Sequence, residues 1–211
     1  MISLHPYGKA FMMLVRKYQL DIQGVIHIGA HWGQEYSGYV RLGVENMLFF
    51  EPVKANYKKL LDALPKQKGI QTFNIALGNV RGVKEMYIET ANKGMSCSLL
   101  EPGTHLNLYP HITFDTKETV FMDRLDNIEF NRDLFNMINI DVQGYELEVF
   151  KGACETLQSI DIIYTEVNFE EVYKNCCQID ELDSFLKKFG FMRIDTNSKP
   201  KTWGDALYLK Y

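Results

Sequence analysis

The sequence predicts an α/β fold in which a mostly parallel sheet carries helices on both faces. Two observations predict it. Short apolar runs alternate with stretches of helical length and helical spacing along most of the 211 residues. The first of these runs passes directly into a glycine turn, 25-VIHIGAHWGQEY-36, the arrangement by which a strand feeds a helix and leaves a ligand site at the strand's carboxyl end.

The elements follow in order. Pro6–Tyr18 places Ala10, Phe11, Leu14, Val15 and Tyr18 at helical spacing, and forms an N-terminal helical extension over residues 1–22. Val25–Ile28 reads as a strand and Gln34–Leu42 as a helix. Met47–Phe50 is a strand ending at Glu51-Pro52. Ala55–Leu64 is a helix with Tyr57, Leu60, Leu61 and Leu64 on one side, and Gln71–Leu77 is a third strand. The alternation breaks after Gly78. Lys84–Glu89 and Thr119–Met122 read as strands, separated by the polar, turn-rich segment Thr90–Thr113. A connection of that length is more often functional than idle. Then Met137–Ile140 is a strand, Tyr145–Leu157 a helix, Asp161–Val167 a strand, and Asp180–Phe189 a helix stopped by Gly190. Phe191–Ile194 and Ala206–Tyr211 form a hairpin pair around the polar segment Asp195–Asp205. All of this is read as one domain, 1–211.

Composition narrows the function. Hydrophobic residues make up 46% and charged residues 24%, ordinary for a globular protein, and no run of 18 apolar residues suggests a membrane span. The first residues lack the basic and apolar regions of a secretory leader. A net charge of −4 disfavours a nucleic-acid partner, which demands a basic face. The four cysteines show no CxxC spacing and read as reduced thiols, which points to the cytoplasm.

Four stretches carry the chemistry. In 29-GAHWG-33 the glycines stand four apart, not in the GxGxxG spacing of a dinucleotide site. The wider turn suits a cofactor without a pyrophosphate, such as S-adenosylmethionine; a plain strand-to-helix turn is the alternative. In 48-LFFEP-52, Glu51 lies about 20 residues past the glycine turn, where a strand-tip carboxylate accepts from both ribose hydroxyls. In 138-INIDVQGYELEVFKGA-153, Asp141 ends a strand; it can bind a cation, orient a hydroxyl, act as a base or cap the following helix. In 161-DIIYTEVNFEEVY-173, Glu166 and Asn168 end the next strand, so two carboxylates can converge on one cleft.

The order and spacing of these stretches extend to NIALG (Asn74–Gly78), MSCSLLEP (Met95–Pro102), Tyr109-Pro110, MDRLD (Met122–Asp126) and GDALY (Gly204–Tyr208). From about Val25 to Leu209 the chain resembles the FkbM-type methyltransferases, within the class I S-adenosylmethionine-dependent enzymes. The resemblance implies a Rossmann-like three-layer sandwich, with a mostly parallel seven-stranded sheet whose last strand is antiparallel. It implies methyl transfer to a hydroxyl of a sugar, glycan or other natural product.

Carried over to this chain, the resemblance implies that Gly29, Ala30 and Gly33 line the methionine end of the cofactor, that Glu51 holds the ribose, and that Ala76 and Leu77 flank the adenine. Asp141 stands beside the methyl donor. His27, His31, Gln34, Glu35, Pro52 and Val142, in the same turns, complete the expected cofactor set. The chain departs from the pattern at two places. His27 occupies an acid's usual position, as a cofactor contact or as a satisfied buried histidine. The family's IDVEG is IDVQG here, so Gln143 removes a charge and no metal is expected. A sugar hydroxyl is a weak acid and benefits from a general base; the candidates are Asp141, Glu166 and His105. Residues 90–118 form the candidate acceptor loop, with Ser96, Ser98, Tyr109, Tyr145 and Asn168 as acceptor contacts. The resulting expectation is an O-methyltransferase of a sugar or glycan. The alternatives are a methyltransferase of a non-sugar metabolite and an inactive cofactor-binding scaffold. The oligomeric state is left open.

Overall fold

The structure, a computed structural model, describes residues 6–197 and 201–211. Residues 1–5 of the expected extension and 198–200 of the expected hairpin connection lie outside the described residues. In chain order the elements are α1 (Pro6–Tyr18), β1 (Gly24–Ile28), α2 (Tyr36–Arg41), β2 (Asn46–Phe50), α3 (Lys54–Ala63), β3 (Ile70–Phe73), β4 (Ala76–Leu77), β5 (Gly82–Ile88), α4 (His105–Leu108), β6 (Thr116–Asp123), β7 (Met137–Ile140), α5 (Glu146–Lys151), β8 (Ile162–Asn168), α6 (Ile179–Leu186), β9 (Phe191–Asn197) and β10 (Trp203–Lys210).

Seven strands form one sheet in the order β3-β2-β1-β7-β8-β10-β9. The β3, β2, β1, β7 and β8 strands run parallel, and β10 is antiparallel to both β8 and β9. This is the α/β arrangement the alternation predicts, with the antiparallel last strand that the resemblance implies. β1 is buried at every position because both faces of the sheet are covered. Its alternate side chains belong to two different cores. Ile26 and Ile28 join Leu48, Phe50, Ile138, Ile140 and Phe150 on one face. Val25 joins Met47, Phe49, Met137, Leu60 and the Phe11 and Val15 side chains of α1 on the other. Each fully buried side chain of this size contributes about 1.5–3 kcal/mol through the area removed from water.

Three sequence expectations change. The third strand, expected over 71–77, is two strands in two sheets. Asn74 Nδ2 donates to the carbonyls of Glu51 and Pro52, both at 2.9 Å, and turns the chain out of the main sheet. β4 then joins β6 and β5 in a separate three-stranded sheet, where the pair at Lys84–Glu89 and Thr119–Met122 also lies. The helix expected over 145–157 ends at Lys151, and a 3₁₀ turn at Thr156–Gln158 follows. Gly152 caps its end, and the close approach of Gly78 requires a glycine there, since a Cβ would stand 1.9 Å from the Gly78 carbonyl oxygen. The final hairpin is present, but its strands reach further, to Asn197 and from Trp203, so Asp205 lies within a strand.

α1 is bound to the body at both ends of its buried stripe. The Phe11 ring lies 5.1 Å from that of Tyr164. Near its C-terminus, Lys17 Nζ donates to Asp195 at 2.6 Å and the Tyr18 hydroxyl to the same carboxylate at 2.7 Å.

Candidate active site

Strand register builds the site. Ile28 pairs with Phe50 and Ile140, Ile140 with Thr165, and Glu166 with Asp205. One step further along, Glu51, Gly29, Asp141, Glu166 and Asp205 therefore form a row across five neighbouring strands. Side chains two residues apart on a strand share a face, so His27, Asn139 and Tyr164 form a second row below the first. Above both rows lies a cavity of about 440 Å³, within the range of small-molecule sites. Its far wall comes from the segment after β5 and from Val172, Tyr173 and Trp203.

The glycine turn opens this cavity. Gly29 has φ +80, and a Cβ there would lie 1.8 Å from the Asp141 carbonyl oxygen, so no other residue fits. The amides of Gly29 and Ala30 both donate to the Phe50 carbonyl, at 3.0 and 2.9 Å. Glu51 is pinned by backbone: its two carboxylate oxygens accept from the His31 and Val53 amides at 2.8 and 2.9 Å. Burial outweighs these two bonds and pushes its pKa up to about 8. The Asn56 side chain also hydrogen-bonds this carboxylate, which leaves it one acceptor position for a ligand hydroxyl. His31 ties the turn to the far wall. Gln34 Nε2 donates to His31 Nδ1 at 2.7 Å, and His31 Nε2 donates to the Lys93 carbonyl at 2.9 Å. That assignment requires a neutral ring, in keeping with a pKa lowered chiefly by burial.

Asp141 and Glu166 stand next to each other, joined by one amide. Gln143 Nε2 donates to Asp141 Oδ1 at 2.7 Å and to Glu166 Oε2 at 3.0 Å. The amide is itself oriented, since the Tyr173 hydroxyl donates to Gln143 Oε1 at 2.8 Å. Gln143 adopts φ +56, a left-handed conformation that costs a non-glycine residue about 1 kcal/mol. Ser98 Oγ holds it there by donating to the Gln143 carbonyl at 2.8 Å. Glu146 stands on the other side and accepts from the Val142 and Gly144 amides at 3.0 and 3.1 Å. Ligand oxygens of Asp141, Glu146 and Glu166 all lie within 4.8 Å of one another, so among the described residues this trio could hold a cation. The Gln143 amide already satisfies two of the oxygens such an ion would use.

Burial, then the neighbouring charges of Asp141 and Glu146, raises Glu166 well above the carboxylate range, so it carries the proton of the pair. Asp141 opens onto the cavity, yet the cavity is deep enough that burial still raises its pKa. Burial likewise lifts Glu146 and Glu35 to about 7 and Asp205 to about 6. His27 moves the other way, to about 3, because nothing nearby compensates its burial. Its Nδ1 meets the Tyr39 hydroxyl at 3.2 Å, and Asn139 Nδ2 donates to that hydroxyl at 2.5 Å. His27 is thus a neutral, buried histidine that also lines the cavity.

Most residues singled out in the sequence line this one cavity: His27, Gly29, His31, Gln34, Glu35, Glu51, Pro52, Ala76, Leu77, Asp141 and Val142 on the sheet side. Ser96, His105, Tyr109, Tyr145 and Glu166 line it as well. Four do not. Ala30 is packed into the core beneath the turn. At Gly33 the φ is +75 and a Cβ would stand 2.8 Å from Leu60 Cδ1, so α3 rather than a ligand demands the glycine. Ser98 is fully buried and spends its hydroxyl on Gln143 and on the Leu100 amide. Asn168 is buried in the sheet opposite Trp203. Sequence reasoning missed Asp205, Glu146, Tyr39, Asn139, Tyr173 and Trp203. The alternation of β10 could have signalled Asp205; the others look like ordinary strand, helix or loop residues.

The sheet order, the glycine turn after β1 and the acid at the tip of β2 define a class I S-adenosylmethionine-dependent methyltransferase. The cavity fits that cofactor: its volume suffices, Gly29 leaves room for close approach, and the Glu51 carboxylate lies on its wall. Residues 27–192 match the methyltransferase FkbM domain, and the chain belongs to that family. The chain is 25% identical over 173 residues to the 2-O-methyltransferase NoeI of Sinorhizobium fredii, covering 78% of this chain and 71% of that protein. Solved structures share the fold. A putative S-adenosylmethionine-dependent methyltransferase of Listeria monocytogenes matches with a TM-score of 0.56 at 9% identity, over 98% of this chain and 100% of that one. Magnesium protoporphyrin IX methyltransferase of Synechocystis, solved with S-adenosylmethionine bound, matches with 0.54 at 8% identity, over 96% and 77%. The chain is therefore an S-adenosylmethionine-dependent methyltransferase. No helix among the described residues is long and apolar enough to cross a membrane.

Proposed function

We propose that the protein is an O-methyltransferase whose acceptor is a hydroxyl of a sugar or glycan. The observation that carries this reading is the Asp141–Glu166 pair under the Gln143 amide, at the floor of the cavity. S-adenosylmethionine, when bound, supplies a methyl group already activated by its sulfonium. What remains for the protein is to orient the acceptor oxygen and to take its proton.

Asp141 is the general base in this reading. Glu166 holds the proton of the pair, which leaves Asp141 ionised, and burial makes that carboxylate a stronger proton acceptor than one in water. Gln143 and Glu166 hold the Asp141 carboxylate by hydrogen bonds where it opens onto the cavity. Gly29, His31, Gln34, Glu35, Glu51, Pro52, Ala76, Leu77, Val142 and His27 make up the cofactor side. Residues 90–118 act as the acceptor loop, with Ser96, His105, Tyr109 and Tyr145 facing the acceptor; aromatic rings beside hydroxyls suit the apolar faces and polar edges of a sugar. NoeI, a 2-O-methyltransferase by name, supports oxygen as the atom methylated. The four cysteines are free, which suits work in the reducing cytoplasm.

Incubating the protein with isotopically labelled S-adenosylmethionine and a panel of glycans and small alcohols tests this, with mass spectrometry as the readout. Label on an ether oxygen of a sugar is the expected result. Label on nitrogen, or on non-sugar alcohols alone, overturns the sugar assignment.

A further inference from the structure

Among the described residues the cavity wall carries five carboxyl groups, from Glu35, Glu51, Asp141, Glu166 and Asp205, and no lysine or arginine. Four of them lie in the single row across the strand ends. Near neutral pH burial leaves Glu51 and Glu166 protonated, so the charge stands with Asp141 and Asp205, at the acceptor end of the row. An anion would be desolvated against carboxylates with no cation to offset it. We infer that the acceptor presents an uncharged or ammonium-bearing face to this cavity, and that acceptors carrying a carboxylate or phosphate beside the reacting hydroxyl are excluded. This rests on the O-methyltransferase reading and narrows its substrate class.

Three further features point the same way. Asp205 sits at the end of the row furthest from Glu51, beyond Glu166, and lines the cavity beside Trp203. The Tyr164 hydroxyl, a neutral donor, hydrogen-bonds it. The wall opposite is aromatic, and hydrogen bonds orient its rings. Trp203 Nε1 donates to the Tyr109 hydroxyl at 3.0 Å, and the Tyr173 hydroxyl is held by Gln143. Fixed aromatic faces attract cations and the C–H faces of neutral sugars. His105 is only 4% exposed, and its Nδ1 has no hydrogen-bond partner. Its ring packs between Tyr109, Phe114 and Tyr173, with centroids 5.1–5.3 Å away. A buried polar atom left open in a cavity wall is matched by a ligand's hydrogen bond. Burial keeps the ring neutral, so His105 adds no positive charge to receive an anion.

The test measures binding to the protein loaded with S-adenosylhomocysteine. Two matched series are used: methyl glucoside, methyl glucosaminide and methyl glucuronide; then propanediol, aminopropanediol and glycerate. Saturation-transfer NMR and calorimetry at low salt give the affinities. The amine is expected to bind at least about tenfold more tightly than the acid in a series, with the neutral member between. Asp205→Asn is expected to shrink that gap several-fold, while S-adenosylhomocysteine affinity, the check on folding, stays within about twofold. An acid that binds as well as its amine overturns the inference and leaves the sugar reading standing. The expected order in the propanediol series alone supports the charge inference and overturns the sugar reading. No binding in either series overturns the inference.

Discussion

The two halves of the cavity are made differently. On the sheet side, Gly29, Glu51 and Asp141 sit at the ends of parallel strands, and backbone hydrogen bonds fix each of them. The Glu51 carboxylate, for example, is held by the His31 and Val53 amides. On the far side, residues 89–113 contribute one helix of four residues and isolated bridges such as Tyr87 to Ser98. Their positions depend on side-chain bonds, chiefly His31 to the Lys93 carbonyl across the cavity and Ser98 to the Gln143 carbonyl. The first half is rigid because the sheet is; the second is placed by a few contacts that single substitutions can remove.

Substitutions sharpen that contrast. Asp141→Asn should have the largest effect, lowering kcat by about 100-fold or more while leaving cofactor affinity within about threefold. Equal losses in both would make Asp141 a binding residue and move the base to Glu166 or His105. Glu51→Gln keeps the shape but turns one acceptor into a donor. Cofactor affinity, read by calorimetry, should fall about 10- to 100-fold, and an unchanged value would remove Glu51 from the ribose contact. His31→Ala, which frees the Lys93 carbonyl, should raise the acceptor KM several-fold and change kcat less. If cofactor affinity falls instead, His31 serves the sheet side alone.

The smallest effect is a pH dependence of stability. Glu35, Glu146 and Glu51 have folded pKa values of about 7, 7 and 8, above their unfolded values. The folded chain therefore holds protons that the unfolded chain has already lost, and stability falls as pH rises through those values. His27, lowered to about 3, acts oppositely: its contribution to stability is lost as pH falls below about 6.5. The cofactor-free protein should lose about 5 °C or more of Tm between pH 6.5 and 8.5. A Tm that holds or rises over that range would mean these carboxyls are already ionised in the folded state.

What the sequence discloses follows the same division. Gly29, Glu51, Asp141 and Glu166 were legible because strand periodicity and the glycine turn place strand ends on one edge. The split of the third strand was not legible, because it depends on Asn74 reaching back to the Glu51 and Pro52 carbonyls. Gly33 looked like a cofactor glycine, and only the packing of Leu60 explains it. Ser98 had the composition of a substrate contact, but its hydroxyl holds the strained backbone of Gln143. Gln143 itself read as a missing charge. In the folded chain it is the donor that lets two acids stand side by side.

The position of β10 also governs the order in which the molecule can be completed during synthesis. β10 is the last strand in the chain, yet it lies inside the sheet, between β8 and β9. In a chain emerging from its N-terminus, β8 keeps an open edge and β9 has no sheet neighbour until β10 arrives. An open edge invites pairing with other chains until β10 covers it. Arrival of β10 closes that edge, brings Asp205 to the cavity and sets Trp203 against Tyr109. The strand that ends the aggregation hazard is also the one that finishes the acceptor side, so a partly made chain has no complete site.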